Sequence, residues 1–156
     1  MPGLSDSPPG AAGVTIRPLR WWDLEHVLDI ERQVFGANAW PAESFWSELA
    51  RQDRYYVVAE DDSVRGYGGL WIAAADCDVQ TVAVDPAVQG RGVGRLLLDH
   101  LVQHARELGC RRVHLEVRRD NAPAVRLYES RGFTRVRLRE RYYPDLSDAL
   151  VMGLAL

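Results

Sequence analysis

Lysine is absent from this 156-residue chain; all 19 of its basic side chains are arginine. That excludes three common uses of a lysine amine: the Walker-type phosphate ligand, the Schiff-base former and the amine nucleophile. Cysteine is almost as scarce. Cys77 and Cys110 are the only two, and so distant a pair makes neither a disulfide framework nor a metal motif. Such usage suits a reducing, cytoplasmic setting. No apolar run approaches the ~18 residues needed to span a bilayer, and the first residues lack a basic-then-apolar leader pattern. No membrane partner is expected. The remaining composition, 47% hydrophobic and 26% charged, is ordinary for a globular chain, and the length suits one domain with a substantial core.

Charge is unevenly placed. Residues 1–85 hold 6 arginines against 14 acids, whereas residues 86–156 hold 13 arginines against 8 acids. The basic half suits a polyphosphate ligand, and the acidic half could face a basic partner. With a total of -3 and no basic stripe interleaved with aromatics, nucleic acid is not an expected partner.

Residues 1–13 are rich in Pro, Gly and Ser and read as a flexible tail. Residues 14–156 read as one domain. Val14-Thr15-Ile16 is a short strand. Asp23 is placed to cap a helix bearing Leu24, Val27, Leu28, Ile30 and Val34 at helical spacing. Pro41 suits the first position of a second helix reaching about Arg51. Three strands are expected near 55–59, 64–74 and 78–84. Helices follow near 92–108 and 122–131, stopped by Gly109 and Gly132, with a strand at 113–117 between them. Strands near 134–141 and 149–154 close the chain. The order β-α-α-β-β-β-α-β-α-β-β is that of an α/β domain on a mixed sheet.

The run Gln89-Gly90-Arg91-Gly92-Val93-Gly94 opens a helix just after Thr81-Val82-Ala83-Val84. Glycine permits backbone shapes closed to other residues. The first N–H groups of a helix lack internal partners and lie at the positive end of its dipole. Together they make a seat for a phosphate or diphosphate. A dinucleotide-binding Rossmann unit fits poorly. Its third glycine should follow the second by three positions, not two, and five residues separate the strand from the turn. A P-loop is excluded because GxxxxGK[ST] is missing.

Gln89, Gly92 and Gly94 in the pattern Gln-x-x-Gly-x-Gly resemble the pyrophosphate loop of the GNAT acetyltransferases. The segment Asn121-Ala122 … Leu127-Tyr128-Glu129 … Gly132-Phe133 resembles a second element of that family. The likeness covers about residues 14–155. It implies the GNAT (acyl-CoA N-acyltransferase) fold, a mixed central β-sheet flanked by helices, and acetyl-CoA as acetyl donor with no metal. It further implies that Val82, Ala83 and Val84 pair with the pantetheine arm, that Gly90, Arg91, Gly92, Val93, Gly94 and Arg95 hold the diphosphate, and that Asn121 hydrogen-bonds the cofactor. Leu115-Glu116-Val117-Arg118, Trp40-Pro41 and Tyr142-Tyr143-Pro144 are similar to the RimI-type branch, which acetylates the N-terminal alanine of a small-subunit ribosomal protein. A protein N-terminus, that of a ribosomal protein, is the partner so implied.

The residues themselves bear on the chemistry. Acetyl transfer to an amine needs a neutral amine and a protonated leaving thiol. Val113, Leu115 and Val117 alternate on one strand face, so Glu116 falls on the other with His114 and Arg118. Glu116 is the candidate base, acting through a water; a strand-face Glu paired with Arg is the plainer reading. Tyr128 is the candidate acid for the thiolate, although its spacing from Ala124, Val125 and Leu127 also fits a core aromatic. An α-amine with a pKa near ~7.8 is roughly 14% neutral at pH 7, against about 0.04% for a lysine side chain. A carboxylate base therefore serves an N-terminus more easily. Phe35, Trp40, Tyr142 and Tyr143 are candidates to grip the peptide. A small-molecule amine acceptor, or a non-catalytic acyl-CoA-binding module, are the alternatives. His100 and His104 lie four apart on a helix, but Leu101 stands where a zinc-protease pattern needs Glu. Cys110 reads as packing. Trp21-Trp22 reads as either a surface patch or a lid on the core.

Overall fold

Alternation decides how the centre of the sheet is covered. In β2 (Arg54–Glu60), Val57 and Ala59 turn to one face while Tyr56 and Val58 turn to the other, and all four are buried. A strand buried on both faces needs cover on both, and helices supply it. The computed structural model describes residues 13–156, so nearly all of the tail expected at 1–13 lies outside the described residues.

Seven strands run in the order β1 (Thr15–Pro18), β2, β3 (Val64–Ala73), β4 (Asp76–Val84), β5 (Arg112–Arg118), β7 (Ala149–Ala155) and β6 (Thr134–Arg139). On one face α3 (Val93–Glu107) lays Leu97, Leu101 and Ala105 against Leu70, Val79 and Val113, and α4 (Ala122–Ser130) adds Val125 and Tyr128. On the other, α1 (Leu24–Phe35) and α2 (Ala42–Leu49) bring Leu24, Val27, Ile30 and Phe45 onto Tyr56, Val58 and Tyr67. Each fully buried side chain of this kind contributes about 1.5–3 kcal/mol. Close approach matters in β3. A Cβ on Gly68 would stand 3.0 Å from Leu101 Cδ1, and one on Gly69 would overlap the Tyr56 ring at 2.2 Å.

β4 and β5 form the parallel pair of the sheet, and their register covers only Asp76–Val79 against Arg112–Leu115. Beyond it the strands part. β4 runs on to Val84 paired only with β3, through Gly68↔Val82, Tyr67↔Ala83 and Gly66↔Val84. β5 runs on to Arg118 paired only with β7. The sheet therefore opens at its middle.

The element order agrees with the sequence reading; several details do not. Asp23 stands at the N-cap of α1, as expected, but its side chain bonds no amide of that helix. It ends a 3₁₀ turn (Trp21–Asp23), and its buried carboxylate accepts from Arg17 Nη1 and Nη2 at 2.8 and 2.7 Å and from the Arg20 amide at 2.8 Å. An arginine fork satisfies a carboxylate more fully than one amide does. Pro41 sits at the N-cap of α2 and not within its first turn. Cys77 and Cys110 are joined, with the sulfurs 2.12 Å apart and the Cα atoms 6.4 Å apart. The start of β4 and the end of α3, 33 residues apart, meet only in three dimensions, so distance along the chain misled. The link also weakens the compartment argument drawn from cysteine scarcity. Trp21 and Trp22 are 63% and 59% exposed; they cover no core.

Candidate active site

The turn after β4 is shaped by its glycines. Gly90 and Gly92 hold φ of +79° and +84°, a region costly for a residue with a Cβ. Gly92 is the N-cap of α3 and offers no side chain to bond the first-turn amides. Those amides have no partner within a helix and sit at the dipole's positive end. The Gln89 side chain ties the turn back to β4 by donating from Nε2 to the Val84 carbonyl at 3.2 Å. Between Gln80 and Val84 the outward edge of β4 has no strand beside it. A free strand edge leading to a ring of free amides suits a long amide-bearing chain that ends in a diphosphate. Asn121 caps α4, its Oδ1 accepting from the Ala124 amide at 3.3 Å; its NH₂ is left for another partner.

On the α1 and α2 face, at the level where β4 and β5 part, lies an open cleft of about 820 Å³. Its lining comes from β3 (Trp71), β4 (Asp78, Gln80), β5 (His114, Glu116), β6 (Arg137, Arg139) and the loops carrying Trp40, Tyr142 and Tyr143. Glu116 faces this cleft. Its Oε1 is 3.3 Å from Arg139 Nε, with both side chains partly exposed, and the proximity of the carboxylate raises the pKa of the Tyr142 phenol. The guanidiniums of Arg139 and Arg118 lie over the rings of Tyr142 and Tyr143, at 5.3 and 5.1 Å. Asp78 is half-buried, and burial, more than the nearby charge of Glu116, raises its carboxyl pKa; His114 opposes the rise.

Tyr128 is 9% exposed and belongs to the α3-side core, 6.0 Å from Phe133 by ring centroids. Its position is that of a core aromatic. Burial, reinforced by Tyr143, pushes its pKa up to about 12. Glu116 in turn adds to the raised pKa of Tyr143, where burial is the larger cause. Trp40 packs on Phe45 at 5.4 Å while lining the cleft. Phe35 packs against the α1-side core and is not part of the lining. His100 is held by Tyr55, Oη to Nε2 at 2.8 Å, and His104 stacks on the same ring at 3.6 Å.

Residues 20–133 match the Acetyltransferase (GNAT) family. The chain belongs to that family. An N-alpha-acetyltransferase, RimI, of Mycobacterium tuberculosis is 43% identical over 136 residues, covering 83% of this chain and 84% of its own. The crystal structure of the ribosomal-protein-S18-alanine N-acetyltransferase from Escherichia coli superposes with a TM-score of 0.84 at 32% identity, covering 91% of this chain and 93% of that one. An uncharacterized protein of Mycobacterium leprae is 42% identical over 158 residues; the match takes in 97% of this chain but only 42% of that longer relative.

This GNAT chain carries the mixed seven-stranded sheet of the family, flanked by four helices. The acetyl donor of the family is acetyl-CoA, and the free edge of β4 and the uncapped start of α3 fit its pantetheine arm and diphosphate. No group of three or more candidate metal ligands occurs among the described residues, nor does any helix long and apolar enough to cross a membrane. Sequence reasoning missed Trp71, Asp78, Gln80, Arg137 and Arg139 in the cleft. A single clue was present for Asp78: it alternates with Val79 and Cys77 onto the face opposite the core, as His114 and Glu116 do on β5.

Proposed function

We propose that this chain transfers the acetyl group of acetyl-CoA to the N-terminal α-amine of a protein, the N-terminal alanine of a small-subunit ribosomal protein above all. The attack is direct, within a ternary complex. The observation that carries this reading is the parting of β4 from β5: it sets a free strand edge for the donor beside a cleft that displays Glu116. The M. tuberculosis and E. coli relatives, by their names, act on protein N-termini, which supports the choice of acceptor. Residues 14–156 are proposed to act as one domain. A ribosomal acceptor supports a cytoplasmic place of action.

In this reading Val82, Ala83 and Val84 hold the arm of the donor by main-chain bonds, and the amides from Gly90 to Arg95 hold its diphosphate. Asn121 adds a hydrogen bond from its free NH₂. The acceptor enters as an ammonium. Glu116 takes its proton through a water, the neutral nitrogen attacks the thioester carbon, and the C–S bond breaks as the C–N bond forms. Tyr128 gives the leaving sulfur a proton and is reprotonated by the one the nitrogen sheds. The balance is amide, thiol and one proton released to solvent. A phenol near 12 holds its proton firmly. Free thiols titrate near ~8.5, so the transfer is uphill in water, but a thiolate in the same apolar surroundings is raised as well, which narrows the gap. Trp40, Tyr142 and Tyr143 flank the incoming chain; Phe35 is proposed to support them from behind.

The test is a panel of short peptides with free N-termini, an alanine start among them, assayed for CoA release. Turnover of the alanine peptide is expected, with N-terminally blocked peptides inert. Rapid turnover of a polyamine or an aminoglycoside, with every peptide silent, would overturn the assignment.

A further inference from the structure

Two carboxylates and two guanidiniums line the cleft, but the carboxylates are unequally partnered. Of its two carboxylates, Glu116 is paired with Arg139. Asp78 makes no hydrogen bond and no ion pair among the described residues. Arg54 is the guanidinium that acts on it, and it is committed elsewhere. It bonds Glu48 and Asp53 and lies over the Trp71 ring at 4.8 Å. An unpaired carboxylate on a half-buried wall carries a desolvation cost that a cationic ligand would offset.

Its neighbours have the character of a cation seat. Trp71 stands opposite on β3 and His114 beside it on β5, and Trp40 lines the same cleft. Aromatic walls accept the methylene stem of a Lys or Arg side chain while its charged end reaches a carboxylate. The position along the strands sets what can arrive there. Asp78 is level with His114, two residues before Glu116 on the same face. Two strand residues span about 6.6 Å. A peptide whose amine is at Glu116 places the long side chain of its next residue within that span.

We propose that Asp78 is a specificity-determining residue that seats a Lys or Arg side chain directly following the acetylated residue of the acceptor. The proposal rests on N-terminal acetylation as the activity of the site. It also gives a local meaning to the acidic first half of the chain, which contributes Asp78 but none of the cleft's arginines.

The experiment uses alanine-start peptides identical except for a second residue of Arg, Gln or Glu, with the full chain and its Asp78→Asn and Asp78→Arg variants. The unaltered enzyme is expected to favour Arg over Gln by about tenfold in kcat/KM, the difference lying in KM, because a charged hydrogen-bonded pair in a partly buried site has that order of effect. Asp78→Asn is expected to erase the preference with kcat retained, and Asp78→Arg to turn it toward Glu. A merely structural role would lower turnover of all three peptides alike. Turnover indifferent to the second residue, or a preference that survives Asp78→Asn, would refute the proposal and leave N-terminal acetylation standing. Silence of every peptide would remove both. Should a variant fail to fold, the peptide series with the unaltered enzyme decides by itself: the preference for Arg must shrink between low and high salt, and one insensitive to salt refutes the proposal.

Discussion

The donor side and the acceptor side proposed for this site are built differently. The donor side is main chain from one contiguous stretch, Gln80 to Arg95: a strand edge, a glycine turn and the start of a helix. The acceptor side is side chains from five strands and two loops, spread from Trp40 to Val151. A main-chain site tolerates most side-chain changes and fails when the backbone path changes. A side-chain site does the reverse. The contrast also separates what must be constant, because one donor serves the whole GNAT family, from what can vary with the acceptor.

Glu116→Gln tests the acceptor side most severely. Removal of a positioned base is expected to lower kcat by about 10²- to 10⁴-fold while calorimetry finds acetyl-CoA binding unchanged. Loss of donor binding would mean that the two sides are not separate.

The next effect is on stability and lies just behind the acceptor side. Glu31 is 2% exposed between α1 and the sheet, and burial pushes its pKa up from 4.5 to about 7. The nearby Tyr67 hydroxyl moderates the rise, yet Glu31 Oε2 and Tyr67 Oη find no partner of hydrogen-bonding geometry. The folded pKa is above the unfolded one. The group therefore favours the fold fully below about 4.5, and that advantage is lost as pH rises to about 7. Glu31→Gln is expected to raise stability at pH 8 by up to about 3 kcal/mol, and to change it little at pH 4. Denaturant melts at the two pH values check this. An equal gain at both would point to packing and not to charge.

Gly92→Val sharpens the donor side. At φ +84° a Cβ costs about 1–2 kcal/mol. The KM for acetyl-CoA is expected to rise about tenfold with the peptide KM unmoved. Arg91→Ala keeps the same backbone and is expected to change it a few-fold at most, as for an exposed charge. Steady-state kinetics at saturating peptide compares them. A larger loss with Arg91→Ala would make the diphosphate seat a side-chain site after all. The smallest effect is expected from Asn121→Ala, which removes the α4 cap and about 1 kcal/mol of stability, read as a shift in the thermal midpoint.

The same contrast explains what could be foreseen. The glycine turn was visible because its parts are adjacent in the chain and its geometry demands one residue type. The face on which Glu116 lies followed from period-two alternation in β5, and α3 from the glycine run that opens it and Gly109 that stops it. Asp78, Arg137 and Arg139 were not visible as site residues because nothing local marks them; only strand order brings them to Glu116. The bonding of Asp23 was missed for a related reason. Its partner Arg17 lies on a preceding strand, and a fork of two hydrogen bonds outcompetes a helix cap.

The residue order alone determined the elements, the basic character of the second half and the glycine turn, because each depends on backbone preference or spacing over a few positions. Only the tertiary structure decided that β4 and β5 part after Val79 and Leu115, that Cys77 meets Cys110, and that Tyr128 is buried within the α3-side core. Those outcomes depend on how two helical layers and seven strands fill space together, which no short stretch of chain specifies.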